Sequence, residues 1–132
     1  MPAWLERRDV EFSHEQLMSQ YGGLPGLPNE GALAATLARP QQRLAYEPSS
    51  TLYDLAASYG FGFARNHCFP DGNKRIALAA MDIFLMLNGR DLVPDEAEAV
   101  VIIGALAAGE YSQADLSEWL ENNSTDLAEG KI

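Results

Sequence analysis

The segment from Asn73 to Asn88 limits what this chain can fold into more than any other. Its apolar residues Ile76, Leu78, Met81, Ile83, Phe84, Leu85 and Leu87 follow a helical period yet point nearly all round the axis. A helix of sixteen residues, roughly 24 Å long at 1.5 Å per residue, with so little polar surface must be surrounded by other elements. Asn88-Gly89 ends it. Asp82 interrupts its apolar run, which is also too short to span a bilayer.

The rest of the chain supplies helices to surround it. Ser13 is a good N-cap for a helix carrying Leu17, Met18 and Tyr21, stopped by Gly22-Gly23. Asn29 caps a second, with Leu33, Thr36 and Leu37, which Pro40 should terminate. Ser50 or Thr51 starts a third, with Leu52, Leu55, Ala56, Tyr59 and Phe63 on one face to about Arg65. Gly60 and Gly62 each cost that helix about 1 kcal/mol relative to alanine, so close approach of another helix is expected there. Pro94 and Asp95 open a helix that runs to Gly109, and Ser112 with Asp115 opens a last short one containing Leu116, Trp119 and Leu120.

Three stretches read differently. Ala3 to Phe12 alternates as a short strand would; Gln41 to Ser50 has no sustained period and is expected to be a loop or small flap hairpin; Asn122 to Ile132 is polar and expected to fray. No repeat or linker divides the chain. The expectation is an all-α fold in one domain over 1–132, a helical bundle around the central helix, with 1–11 and 123–132 peripheral.

Composition narrows the function classes. An apolar fraction of 47% with 21% charged residues belongs to a globular chain. The single Cys68 excludes a disulfide framework and any multi-cysteine metal site. A net charge of −10 argues against non-specific attraction to nucleic acid or anionic membranes. No signal peptide opens the chain, so the cytoplasm is the expected location.

Immediately before the central helix stands His67-Cys68-Phe69-Pro70-Asp71-Gly72-Asn73-Lys74-Arg75. Gly72 can take backbone angles denied to other residues, and the first N–H groups of the helix after it have no intrahelical partner. Together they form a concavity for an anion, reinforced by the helix dipole. Lys74 and Arg75 add positive charge where the dipole alone would favour acids, so a negative ligand is expected there. Asp71, just outside the helix, is placed to hold a divalent cation bridging phosphate oxygens. The imidazole of His67 can take a proton from an attacking hydroxyl. Phosphoryl or nucleotidyl transfer to a hydroxyl is the chemistry that uses all of these groups, and Phe69 anchors the loop.

Each residue alone has an ordinary structural explanation, because a Pro-Asp-Gly-Asn string is commonly a turn and a histidine after a helix is commonly a cap. Their combination at the head of the most apolar helix favours function. A Cys68-His67 nucleophile lacks a third group to orient it. His14 reads as structural, and Arg65 as satisfied by the dipole of its own helix end.

The string His-x-Phe-x-Asp-Gly-Asn-Lys-Arg at His67 to Arg75 resembles the active-site signature of the Fic/Doc family. Tyr21-Gly22-Gly23-Leu24-Pro25-Gly26, Leu44-Ala45-Tyr46-Glu47 and Leu87-Asn88-Gly89 are similar to segments of the Doc (death-on-curing) toxins in the same order, so the resemblance covers about Phe12 to Asn122. It implies the all-helical Fic fold. It also implies His67 as general base, Asp71 as a magnesium ligand, Gly72 and Asn73 in the anion hole, Arg75 as a phosphate contact and Phe69 as the loop anchor.

Lys74 stands where most Fic enzymes, which transfer a nucleoside monophosphate from ATP, have glycine. In Doc-type members lysine accompanies inverted ATP and transfer of the γ-phosphate to a threonine of elongation factor Tu. The resemblance thus implies a protein kinase using ATP and Mg2+, with Tyr46 in a target-binding flap. It further implies neutralisation by a small Phd-like antitoxin whose disordered C-terminal segment folds onto the toxin. AMP transfer and a non-enzymatic co-repressor role with the antitoxin are the alternatives. Ser117-Glu121-Asn122 and Thr125-Glu129-Gly130 match the inhibitory (Ser/Thr)-x-x-x-Glu-(Gly/Asn) pattern, but the first reads as part of the closing helix and the second as tail.

Overall fold

The computed structural model describes residues 1–127. In chain order the elements are α1 (Arg7–Tyr21), α2 (Glu30–Tyr46), α3 (Leu52–Arg65), α4 (Asn73–Leu87), β1 (Arg90–Leu92), α5 (Glu96–Ala107), α6 (Gln113–Asn122) and β2 (Ser124–Asp126). The fold is all-α, with one small antiparallel pair in which Arg90 faces Asp126, Asp91 faces Thr125 and Leu92 faces Ser124.

Local chemistry sets the helix starts. Asn29, Thr51, Asp95 and Ser112 each accept a first-turn backbone N–H with the side chain. At Thr51 the cap is reciprocal, because Asp54 returns a carboxylate to the Thr51 N–H at 2.9 Å.

The central helix is surrounded as its sequence requires. Helices α1, α3 and α5 all pack on α4, and α3 also meets α2 and α6. Ile76, Ala77, Ala80, Met81, Phe84 and Leu85 of α4 are buried in one core with Leu55, Tyr59 and Phe63 of α3, Leu106 of α5 and Leu116 and Leu120 of α6. The two α3 glycines sit at close approaches. A Cβ on Gly60 would run into Met81 of α4, and one on Gly62 would lie 2.7 Å from Thr36 Cγ2 of α2.

Three expectations are corrected. Ala3 to Phe12 is not a strand: the chain is helical from Arg7, where Val10 and His14 are buried four residues apart and Phe12 is exposed, a helical rather than alternating pattern. Gln41 to Tyr46 is not a loop or hairpin either, since α2 continues through Pro40 to Tyr46, and only residues 47–50 form the expected turn. Proline forfeits the bond to the Thr36 carbonyl at a cost of about 3 kcal/mol, but contacts on both sides hold the helix together. Arg39 donates to Gln113 Oε1 at 2.9 Å and lies over Phe61, while Leu44 packs on the core and Arg43 reaches Asp54 at 3.9 Å. Finally, Ser124–Asp126 does not fray; it pairs with Arg90–Leu92, and Arg90 bridges Asp126 at 3.0 Å.

The segment before α1 is tied to the core. Leu5 is buried, its N–H donates to Tyr59 Oη at 3.1 Å, and Asn88 exchanges two hydrogen bonds with Ala3. Burial pushes the Tyr59 phenol up to about 12, so it stays neutral at any physiological pH.

The α3–α4 approach yields a stability prediction. Gly60→Ala should gain about 1 kcal/mol in helix propensity but lose about 1–3 kcal/mol to overpacking against buried Met81. Urea unfolding should therefore show a net loss of about 1 kcal/mol, and a stabilised variant would contradict the fit.

Candidate active site

The loop between α3 and α4 is held open by an unusual backbone. His67 has φ 50°, the positive-φ position outside glycine among the described residues, a conformation that costs an L-residue roughly 1–2 kcal/mol. Its neighbours keep it there. Asn66 Nδ2 donates to Thr36 Oγ1 at 2.9 Å, and the same hydroxyl lies 3.3 Å from Cys68 Sγ. The Asn29 N–H donates to the Cys68 carbonyl at 2.8 Å. The buried Thr36 of α2 thus grips the loop on both sides of His67, whose imidazole is left exposed. Burial pushes the Cys68 thiol up, which makes it a poor nucleophile at neutral pH.

The second half of the loop is clamped as tightly. Asn73 closes a ring on Phe69: Nδ2 donates to the Phe69 carbonyl at 2.9 Å and Oδ1 accepts the Phe69 N–H at 3.1 Å. Phe69 is buried and stacks on His14 of α1, ring centroids 3.7 Å apart, and His14 Nε2 lies 2.8 Å from the Asp71 carbonyl oxygen. Asp71 accepts the Leu24 N–H on Oδ2 at 3.0 Å and the Gly72 N–H on Oδ1 at 2.8 Å. These two N–H groups, Leu24 first, hold its carboxyl below the usual aspartate range.

Gly72, φ 79°, turns the chain into α4 without offering a side-chain cap. No other side chain among the described residues satisfies the first-turn N–H groups of Asn73, Lys74 and Arg75, unlike the capped starts of α2, α3, α5 and α6. Those groups open toward a cavity of about 770 Å³. His67, Asp71, Gly72, Asn73, Lys74 and Arg75 form its polar end, and Leu78 with Val100, Ile103 and Gly104 of α5 its apolar wall. Lys74 and Arg75 are exposed, and Arg75 lies over the Tyr21 ring, 4.6 Å from its centroid. In a chain of net charge −10, this end gathers two cations and three N–H groups without a side-chain cap, so it suits an anion.

Of the candidates, His67, Asp71, Gly72, Asn73, Lys74 and Arg75 come together at the cavity while Phe69 is buried in the core, and two of the six have additional duties. The Asn73 side chain is consumed in the ring with Phe69, which leaves its backbone N–H for the anion. Asp71 is bonded through both oxygens, each of which retains a lone pair. No group of three or more His, Cys, Asp or Glu side chains among the described residues could hold a metal on its own. A lone carboxylate beside a phosphate nest still fits Mg2+, which takes one or two carboxylates together with phosphates and water.

Tyr46 is not at the cavity; it ends α2, 92% exposed. Arg65 lies over Phe61 outside the cavity lining. Ser117 to Asn122 lies within α6, where Ser117 Oγ donates to Asp54 Oδ1 at 2.7 Å. Glu129 and Gly130 of the second pattern lie outside the described residues. Sequence reasoning did not find Thr36, Asn66 and Tyr21, and it gave His14 no part in the loop. The helical spacing of His14, Met18 and Tyr21 was the available signal.

A helical bundle whose buried central helix begins in an uncapped, cationic turn beside an exposed histidine offers a site suited to an anion. The Fic/DOC family model matches residues 4–85. The protein named Protein kinase doc of Escherichia phage P1 is 38% identical over 107 residues, covering 81% of this chain and 84% of that protein. Toxin Doc of Mycolicibacterium smegmatis (strain ATCC 700084 / mc(2)155) is 38% identical over 96 residues, 72% of each. This chain belongs to the Fic/Doc family.

The Asp71 clamp predicts a pH dependence. A carboxyl held below its usual range stabilises the fold fully above about pH 4, where the unfolded chain's aspartate is ionised, and that contribution is lost as pH falls through the lower folded-state value. Unfolding free energy should therefore decline less steeply below about pH 4 in Asp71→Asn than in the wild type. Equal slopes in acid denaturation curves would contradict the clamp.

Proposed function

We propose that this protein is an ATP- and magnesium-dependent protein kinase of the Doc type, the toxin of a toxin and antitoxin pair. It transfers the γ-phosphate to a threonine hydroxyl of a translation factor, elongation factor Tu, in the cytoplasm, and the whole chain acts as one Fic/Doc domain. The observation that carries this reading is the uncapped first turn of α4, with Lys74 and Arg75 on the same cavity as His67 and Asp71.

In this reading the terminal phosphates lie on the N–H groups of Asn73, Lys74 and Arg75. Lys74 fills the space that a nucleoside α-phosphate would need, so the γ-phosphate faces the acceptor. The acceptor oxygen forms the new P–O bond as the bond from the γ-phosphorus to the β–γ bridging oxygen breaks, ADP leaves, and His67 takes the hydroxyl proton. Asp71 would hold Mg2+, which when bound neutralises charge on the phosphate oxygens. Lys74 and Arg75 stabilise the charge of the transferred group. The names of the two relatives support the kinase and toxin readings. A small Phd-like antitoxin is the proposed regulatory partner. Tyr46, exposed at the end of α2, is the proposed contact for the target segment, now presented by a helix rather than a hairpin.

Incubation with a cell lysate and ATP labelled at the α- or γ-phosphate tests the reaction. Label should be retained from the γ position only; retention from the α position only would establish AMP transfer and overturn the kinase reading. His67→Ala should lower the transfer rate by about 10²- to 10⁴-fold and relieve growth arrest. Arrest that persists unchanged would favour a non-enzymatic role. Lys74→Gly should admit some transfer from the α position, and unchanged chemistry would remove Lys74 from the choice of phosphate.

A further inference from the structure

His14, Met18 and Tyr21 stand at i, i+4 and i+7 on α1 and so share one helix face. All three touch the active-site loop at successive points. His14 stacks on Phe69 and reaches the Asp71 carbonyl, Met18 closes on Gly72 so tightly that a Cβ there would collide with Met18 Cε, and Tyr21 lies beneath the Arg75 guanidinium. The first two contacts fix the backbone. The third touches a side chain whose charge matters to the ligand.

Arg75 needs such a partner. It is exposed and forms no salt bridge among the described residues, and a free arginine carries large rotamer entropy that must be lost on binding. Tyr21 ends α1, where the Gly22 N–H closes on the Met18 carbonyl at 2.8 Å and fixes its backbone, while the ring, 56% exposed, has the guanidinium over one face. No hydrogen bond from the Tyr21 hydroxyl is formed among the described residues, so the aromatic face and not the phenol does the holding.

We infer that Tyr21 is a positioning residue that pre-orients Arg75 for the phosphates of the bound nucleotide through a cation–π contact. The inference rests on the assignment of Arg75 as a phosphate contact. It gives α1, none of whose residues lines the cavity, a part in the site through Arg75, which does.

The test is a double-mutant cycle on Mg-ATP affinity measured by titration calorimetry, with thermal unfolding of every variant as the control for folding. Tyr21→Phe and Tyr21→Trp should bind as the wild type does. Tyr21→Leu should weaken binding about three- to tenfold, the scale of a surface cation–π contact. In an Arg75→Ala background, Tyr21→Leu should cause no further loss. Wild-type affinity in Tyr21→Leu, or an equal loss with and without Arg75, would overturn the inference. Because binding is read and not transfer, the cycle stands whichever phosphate is moved. No Mg-ATP binding by the wild-type protein would overturn the functional reading itself, whereas binding without coupling overturns the Tyr21 pairing alone.

Discussion

Burial of α4 is the constraint on which the other features depend. A helix apolar nearly all round is stable only when enclosed, and here α1, α3 and α5 enclose it, with Gly60 allowing α3 to approach Met81 closely. Enclosure fixes the axis of α4 and therefore the position of its first turn. A fixed, uncapped helix N-terminus differs from a frayed one because its N–H groups need not be ordered when a ligand arrives, so binding costs less entropy. The core thus creates the site as well as supporting it.

The loop in front of α4 is secured by contacts distant in sequence. Thr36 of α2 holds Asn66 and Cys68, Asn29 holds the Cys68 carbonyl, His14 of α1 holds Phe69 and Asp71, and Leu24 holds the Asp71 carboxylate. These bonds offset the left-handed geometry of His67. They also leave the imidazole, the Lys74 ammonium and the Arg75 guanidinium as the groups free of backbone duties. The division runs within a few residues: Phe69 and the Asn73 side chain build the loop, His67, Lys74 and Arg75 line the cavity, and Asp71 does both.

Much of this was legible in the sequence because the relevant signals are local. The starts of α2, α3, α5 and α6 follow from single capping residues, the enclosed helix from its own composition, and most of the site from nine consecutive residues. The failures were places where distant contacts overrode local rules. Pro40 should end a helix, but side chains around it reach α3 and α6. Ser124–Asp126 has no strand character of its own and becomes a strand because Arg90–Leu92 offers a ladder. Thr36 carries no local mark of its role, and the spacing of His14 and Tyr21 marks only a shared helix face, since those roles exist only once α1 and α2 lie against the loop.

The central claim is that the backbone N–H groups of Asn73, Lys74 and Arg75 receive the phosphates of the nucleotide. Titration of isotope-labelled protein with Mg-ATP, followed by amide NMR, tests it most directly. The amide protons of Asn73, Lys74 and Arg75 should move downfield together, with one common affinity, as they form new hydrogen bonds to charged oxygens. Saturable binding that leaves these three resonances unmoved while shifting amides elsewhere would contradict the account.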